Sequence, residues 1–180
     1  MRRVAALLRA VNVGGRKLAM ADLRKLLETE GFADPETLLA SGNAVFGTPD
    51  PSAAVERRLE AALARTLDLR TEVLVRDGLQ LGRVLAGNPF AEMAKESPSR
   101  LMVVFLRGEP RPALDDLKGY CGLGEEVAPG PGCLYVAYPG GSGVSKLGLA
   151  VIEKRLAVTG TGRNWNTVVK LAERVGGVAR

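Results

Sequence analysis

A chain of 180 residues, 46% of them hydrophobic and 25% charged, has the balance of a soluble globular protein. At this length it can bury roughly 70% of the surface its unfolded form exposes without a disulfide or a metal. The absence of histidine excludes serine–histidine triads, histidine-paired cysteine nucleophiles and histidine metal sites, and no run approaches the ~18 apolar residues of a membrane-spanning helix.

The net charge of +5 is unevenly spread. Residues 1–20 carry Arg2, Arg3, Arg9, Arg16 and Lys17 with no acid, and residues 141–180 carry seven cations against Glu153 and Glu173. Each end is therefore +5 and the middle −5 by difference. If the ends meet, they form a surface that attracts phosphate or carboxylate groups. The opening MRRVAALLRAV superficially resembles a secretory signal, but Arg9 interrupts its apolar run and no small-residue cleavage site follows. It reads as a mature cytoplasmic N-terminus. Cys121 and Cys133 read as free thiols of a reducing compartment, with a disulfide left open.

In chain order, Val4–Val11 reads as a buried strand that runs into Gly14-Gly15, a pair suited to a tight turn or to cradling a small anion. Ala21–Glu30 follows as a helix with Leu23, Leu26 and Leu27 on one face and Gly31 as its C-terminal cap. Two short strands, Thr37–Ala40 and Ala44–Gly47, are joined by the turn Ser41-Gly42-Asn43. Asp50-Pro51 is expected to open a second helix, Asp50 as cap and Pro51 as first residue, with a stripe of Val55, Leu59, Ala62, Leu63 and Leu67. Thr71–Arg76 is a fourth strand, and Asp77 caps a short helix that ends at Gly87.

The polar stretch Ala91–Arg100 reads as a linker, after which the order recurs. A strand at Leu101–Leu106, a short helix near Leu114–Leu117, a strand near Glu126, another at Cys133–Tyr138 and a helix at Ser145–Leu156 precede a closing helix, Arg163–Val175. The fold class expected is α+β, two tandem ferredoxin-like (βαββαβ) subdomains plus a C-terminal helix, at residues 1–90 and 101–180 with 91–100 between them. In that topology the loop after the first strand and the following hairpin leave the same edge of the sheet. Asn12, Gly14, Gly15, Arg16 and Lys17 should therefore lie near Ser41, Gly42 and Asn43, either as an anion pocket or as turns held by asparagine side chains.

A second candidate lies at Thr159–Asn164, where Thr161 is expected to cap the last helix. Arg163 beside a helix N-terminus would attract anions. Trp165 starts the apolar stripe, or stacks on a ring from a pocket wall. The glycine-rich lead into Ser145-Lys146 lacks the Gly-Lys-Ser/Thr order of a phosphate-binding loop and reads as a flexible turn with Ser145 as cap. Neither Asp115-Asp116 nor Glu125-Glu126 can form a convergent acid–base pair, since adjacent side chains point apart.

The strings LLRAVNVGGRKLAMADLRKLLETEGF, LLASGNAVF, AGNPF, SKLGLAVIEKRL and TGRNWNTVVKLAE together resemble the mainly bacterial family called domain of unknown function 1697, over nearly the whole chain. The resemblance implies no activity. It implies a set of motif positions: Arg9, Asn12, Gly14, Gly15, Ser41, Gly42, Asn43, Asn88, Pro89, Lys146, Arg163, Asn164 and Trp165. Ala10 departs from the glycine the family often has there, and Gly162 from its small hydroxyl residue.

Three functions follow. The first is binding of a small phosphate-bearing or other anionic ligand, a nucleotide or metabolite, in a basic groove of Arg9, Asn12, Gly14, Gly15, Arg16, Lys17, Ser41, Asn43, Lys146, Arg163, Asn164 and Trp165, with electrostatic catalysis on such a ligand left open. The second is nucleic-acid binding through the phosphate backbone alone, since aromatics are 4% of the chain and no RNP-type pattern appears. The third is a structural or partner-binding protein. No cofactor, metal or membrane enters any of them.

Overall fold

The chain folds as α+β, with helices and two four-stranded sheets in which every neighbouring pair of strands is antiparallel. The computed structural model describes residues 1–12 and 17–177. Two compact units divide it, one built from Met1–Gly82 with the chain's last stretch from Leu171, the other from Arg83–Lys170.

In the first unit the order is β1 (Arg2–Leu8), α1 (Met20–Thr29), β2 (Ala33–Leu38), β3 (Asn43–Thr48), α2 (Ser52–Leu67) and β4 (Val73–Asp77). Its sheet runs β2-β3-β1-β4. Alternation along β1 sends Val4, Ala6 and Leu8 to the face that meets Leu23, Leu26 and Leu27 of α1 and Val55, Leu59, Ala62 and Leu63 of α2. Register pairs Val4 with Phe46 and Ala6 with Ala44, so bulk alternates with small side chains beneath the helices. Each fully buried leucine or phenylalanine contributes about 1.5–3 kcal/mol relative to exposure. Phe32 tilts against Phe46 with ring centroids 4.4 Å apart, and the Arg58 guanidinium lies over Phe32 at 4.6 Å.

Several boundaries differ from expectation for local reasons. The first strand stops at Leu8 because Ala10 and Asn12 take left-handed backbone angles, φ 50 and 56. β2 begins earlier, at Ala33, and tolerates Pro35 because it is an edge strand with an irregularity between Ala33 and Glu36. Pro51 is not the first helical residue: at φ −67 and ψ 150 it occupies the N-cap position without a side-chain cap. Its carbonyl accepts from the amides of Ala54 and Val55, and Asp50 uses its own amide on Thr48 Oγ1 at 3.1 Å. Asp77 does cap the helix α3 (Gly78–Ala86): Gln80 N–H donates to Asp77 Oδ1 at 2.9 Å and Asp77 N–H to Gln80 Oε1 at 3.0 Å, a reciprocal capping box.

The segment read as a linker carries α4 (Ala91–Glu96) and a 3-10 turn, Pro98–Arg100. After it come β5 (Leu101–Arg107), a 3-10 stretch at Leu114–Tyr120, β6 (Glu126–Gly130), β7 (Cys133–Ala137), α5 (Leu149–Leu156), β8 (Thr159–Asn164) and α6 (Trp165–Val175). The second sheet runs β6-β7-β5-β8.

β8 is the main correction. Thr159–Asn164 is an edge strand paired along β5 from Arg107↔Thr159 to Met102↔Asn164, where the sequence suggested a lead into a last helix starting at Arg163 with Thr161 as its cap. Its glycines permit close approach: a Cβ at Gly160 would lie 3.0 Å from Val104 Cγ1 and 3.1 Å from the Phe105 carbonyl oxygen. Likewise α5 starts at Leu149 rather than Ser145, because Ser145 Oγ accepts from Leu147 N–H at 3.0 Å and donates to Glu125. That local bond makes a turn in place of a helix cap.

One device recurs at the sheet edges. Glu56 and Glu60, one turn apart on α2, accept through Oε1 from the outward amides of Val75 (2.8 Å) and Val73 (3.0 Å) on β4. Glu153 on α5 does the same for Gly160 of β8 at 2.8 Å. The opposite edges, β2 and β6, carry Pro35 and Pro129.

Candidate ligand-binding site

In the first unit, β1 and β4 pair through Leu8↔Val73, and the ladder continues one residue further, with Arg9 N–H donating to the Glu72 carbonyl at 2.9 Å. The Thr71 hydroxyl donates to the Arg9 carbonyl. The Arg9 side chain emerges at the end of the sheet, into a cleft of about 400 Å³ lined by Arg9, Glu60, Ala64, Arg70, Thr71 and Glu72. Its guanidinium meets Glu72 at 3.5 Å, with the two side chains 32% and 40% exposed. Glu60 is already committed to the Val73 amide. Two guanidinium groups, two carboxylates and a hydroxyl therefore share one concave surface, with Arg9 and Glu72 paired across 3.5 Å.

The sequence pointed to Arg9 but passed over Arg70, Thr71 and Glu72. The topology itself was the missing signal: the start of β4 must sit beside the end of β1.

Other expected site residues of this unit lie around the following loop. Asn12 Oδ1 accepts from Leu18 N–H at 2.8 Å, and its Nδ2 donates to the Leu18 carbonyl at 3.0 Å and to the Ala40 carbonyl. One side-chain amide thus pairs both backbone groups of Leu18. Asn43 is fully buried, and its Nδ2 donates to the Leu38 carbonyl and Ser41 Oγ, both at 2.8 Å. Leu8 N–H donates to the Gly42 carbonyl at 2.9 Å, so the end of β1 lies beside the Ser41-Gly42-Asn43 turn. Ser41 and Lys17 are exposed. Gly14, Gly15 and Arg16, read as the anion-cradling turn, lie outside the described residues.

In the second unit, Arg163 is 5% exposed within β8. Its guanidinium donates to Thr161 Oγ1 at 2.7 Å and to the Gly162 carbonyl at 2.8 Å, and burial pulls its pKa down to about 10. Asn164 Nδ2 donates to the Ser99 carbonyl at 2.9 Å, while its Oδ1 accepts from Asn166 N–H at 3.1 Å. That second bond makes Asn164, rather than Thr161, the residue that caps α6. Trp165 is 9% exposed, and Lys146 is exposed.

Nearby, Glu125 is 6% exposed. Hydrogen bonds from the Ser145 hydroxyl and then from the Leu123 amide hold its carboxyl below the usual carboxylate range. Both cysteines, Cys121 and Cys133, are free thiols. Among the described residues no helix is long and apolar enough to cross a membrane.

Comparison with known proteins bears on family and fold. The model of the family described as protein of unknown function (DUF1697) matches residues 1–135. No curated protein matches. Among solved structures, a conserved bacterial protein from Streptococcus pneumoniae, SP0830, is similar in fold, with a TM-score of 0.67 and 21% identity over 97% of this chain and 98% of that one.

Proposed function

The chain belongs to the DUF1697 family, and from that premise we propose that it binds a small anionic ligand, phosphate-bearing or carboxylate, in the Arg9 cleft of the first unit. One observation carries this: the Arg9 guanidinium on the cleft wall, with Arg70 beside it, is paired with a half-exposed carboxylate at 3.5 Å. A pair of that length and exposure is worth at most about 1 kcal/mol. A phosphate or carboxylate that meets a guanidinium by two parallel bonds gains more, so the ligand competes with Glu72 for Arg9.

The test is isothermal titration with inorganic phosphate, pyrophosphate, a nucleoside triphosphate and citrate. Arg9→Gln should weaken binding at least tenfold, since a charge-assisted hydrogen bond is worth about 1.5–3 kcal/mol. Glu72→Gln, which removes the competing carboxylate, should tighten it about fivefold. Absence of heat with all four anions at millimolar concentration, or an unchanged affinity in Arg9→Gln, refutes the reading.

A structural role is favoured for Arg163, Asn164 and Trp165 by their burial and bonds within the second unit. We also read each unit as a ferredoxin-like βαββαβ fold. The strand orders β2-β3-β1-β4 and β6-β7-β5-β8 support it, as do the crossovers, with a 3-10 stretch replacing the first helix in the second unit. Two free cysteines favour a reducing compartment such as the cytoplasm.

A further inference from the structure

The motif Ala86-Gly87-Asn88-Pro89-Phe90 has no part in the Arg9 cleft, yet it builds a second concavity that lies wholly within the second unit. Asn88 Oδ1 accepts from Phe90 N–H at 3.0 Å, and Phe90 accepts through its carbonyl from Ala94 N–H as α4 begins. The asparagine turn and the ring of Pro89 fix where the Phe90 side chain stands, half-buried. Phe90 and Met93, with Pro89 and Pro139, supply the apolar walls of a pocket of about 480 Å³, a size that takes one small organic molecule.

The rim has a definite sign. Glu92 and Glu96 line the pocket from α4, and Glu126 lines it from β6. The first two stand at i and i+4, where like charges face each other and destabilise a helix that is only six residues long. Among the described residues none of the three carboxylates has an ion-pair or hydrogen-bond partner for its side chain. Arg100 is the cation of the lining, and its guanidinium donates to the Pro139 carbonyl, on the wall itself.

We infer that the second unit carries a site for an organic cation with an apolar body, an alkyl or aryl ammonium. Its body packs on Phe90, Met93 and Pro139 and its charge lies among Glu92, Glu96 and Glu126. The occupant is complementary to the pocket on both counts, and its charge relieves the repulsion between the two α4 glutamates. This site is independent of the Arg9 cleft and opposite to it in charge preference.

The test uses phenethylamine, its neutral analogue 2-phenylethanol and its anionic analogue 3-phenylpropionate on the full chain with methyl-labelled methionines. The four methionines give separate signals, and only Met93 lies in the pocket lining. Expected is a Met93 shift that saturates with phenethylamine at about 1 mM, is much weaker with the alcohol and absent with the acid, and declines as salt rises. The double variant Glu92→Gln, Glu96→Gln keeps the helix, since it removes repulsion, and should weaken the amine about tenfold. Phe90→Ala should weaken it as well, with the charges intact.

The inference is overturned if Met93 fails to move with up to about 20 mM amine, if the three analogues bind alike, or if either variant binds as the parent does. It is overturned equally if a lysine-rich peptide shifts Met93 and the amine does not, which would make the surface a protein-docking site.

Discussion

Replacing Gly42 with alanine tests how the hairpin turn at Gly42 is held against Leu8 and Val11. Gly42 has φ +75, and a Cβ built there would stand 2.2 Å from Val11 Cγ2 and 3.1 Å from Leu8 Cβ. Two costs are separable. The left-handed angle is worth about 1–2 kcal/mol for any residue with a Cβ. The contact with Val11, a stiff β-branched side chain that is 4% exposed, cannot be relieved by rotating a flexible tip, and overpacking of this kind costs about 1–3 kcal/mol. The expected total is about 2–5 kcal/mol. Urea unfolding followed by circular dichroism reads it as a lower midpoint at unchanged slope, and the melting temperature should fall by about 2–4 °C for each kcal/mol. The double variant Gly42→Ala, Val11→Ala separates the terms. Its stability should exceed the sum of the single effects by the contact term, leaving the backbone term in place. A loss under about 1 kcal/mol in Gly42→Ala, or strict additivity in the double variant, would show that Gly42 and Val11 are not packed as described.

Ala10 sits at φ 50, so Ala10→Gly removes left-handed strain and should raise stability by up to about 1 kcal/mol in the same urea assay. Gly162→Ser is the counterpart of Gly42: its Cβ would lie 2.7 Å from Met102 Sδ, but a methionine tip moves aside. The expected loss is under about 1 kcal/mol, and a larger one means that β5 and β8 are packed too tightly for that tip to shift. Glu125 is held below the usual carboxylate range, first by Ser145 and then by the Leu123 amide. Its contribution is therefore present above the unfolded carboxyl pKa of about 4.3 and is lost as pH falls through the lower folded value. Ser145→Ala should make acid unfolding, read by circular dichroism against pH, begin at a higher pH; an unchanged acid limb refutes the link.

What could be read from the sequence was what hydrophobic periodicity carries. Leu23, Leu26 and Leu27, and Val55, Leu59, Ala62 and Leu63, marked one buried face each, and both helices formed there. β8 escaped because Thr-Gly-Thr-Gly-Arg-Asn has no apolar residue to alternate. It is a strand through the partner it is given in β5 and through the two glycines that let it approach. Arg163 differs for a related reason: a cation beside an expected helix N-terminus suggested an anion-facing position, whereas this one is buried in β8 and bonds to its own strand. Of the proposed anion site, Arg9 was visible as a charge inside an apolar run. Arg70 and Glu72 were not, since nothing local in Leu-Arg-Thr-Glu predicts which strand end they will face.

The glutamates on α2 and α5 that occupy the amides of β4 and β8 have an outcome beyond satisfying those groups. With prolines on the far borders, neither sheet offers an inviting seam to a stray extended peptide, and stacking of copies into fibrils by strand addition is discouraged at every margin. Under the two proposals above, binding falls instead to side chains lining hollows.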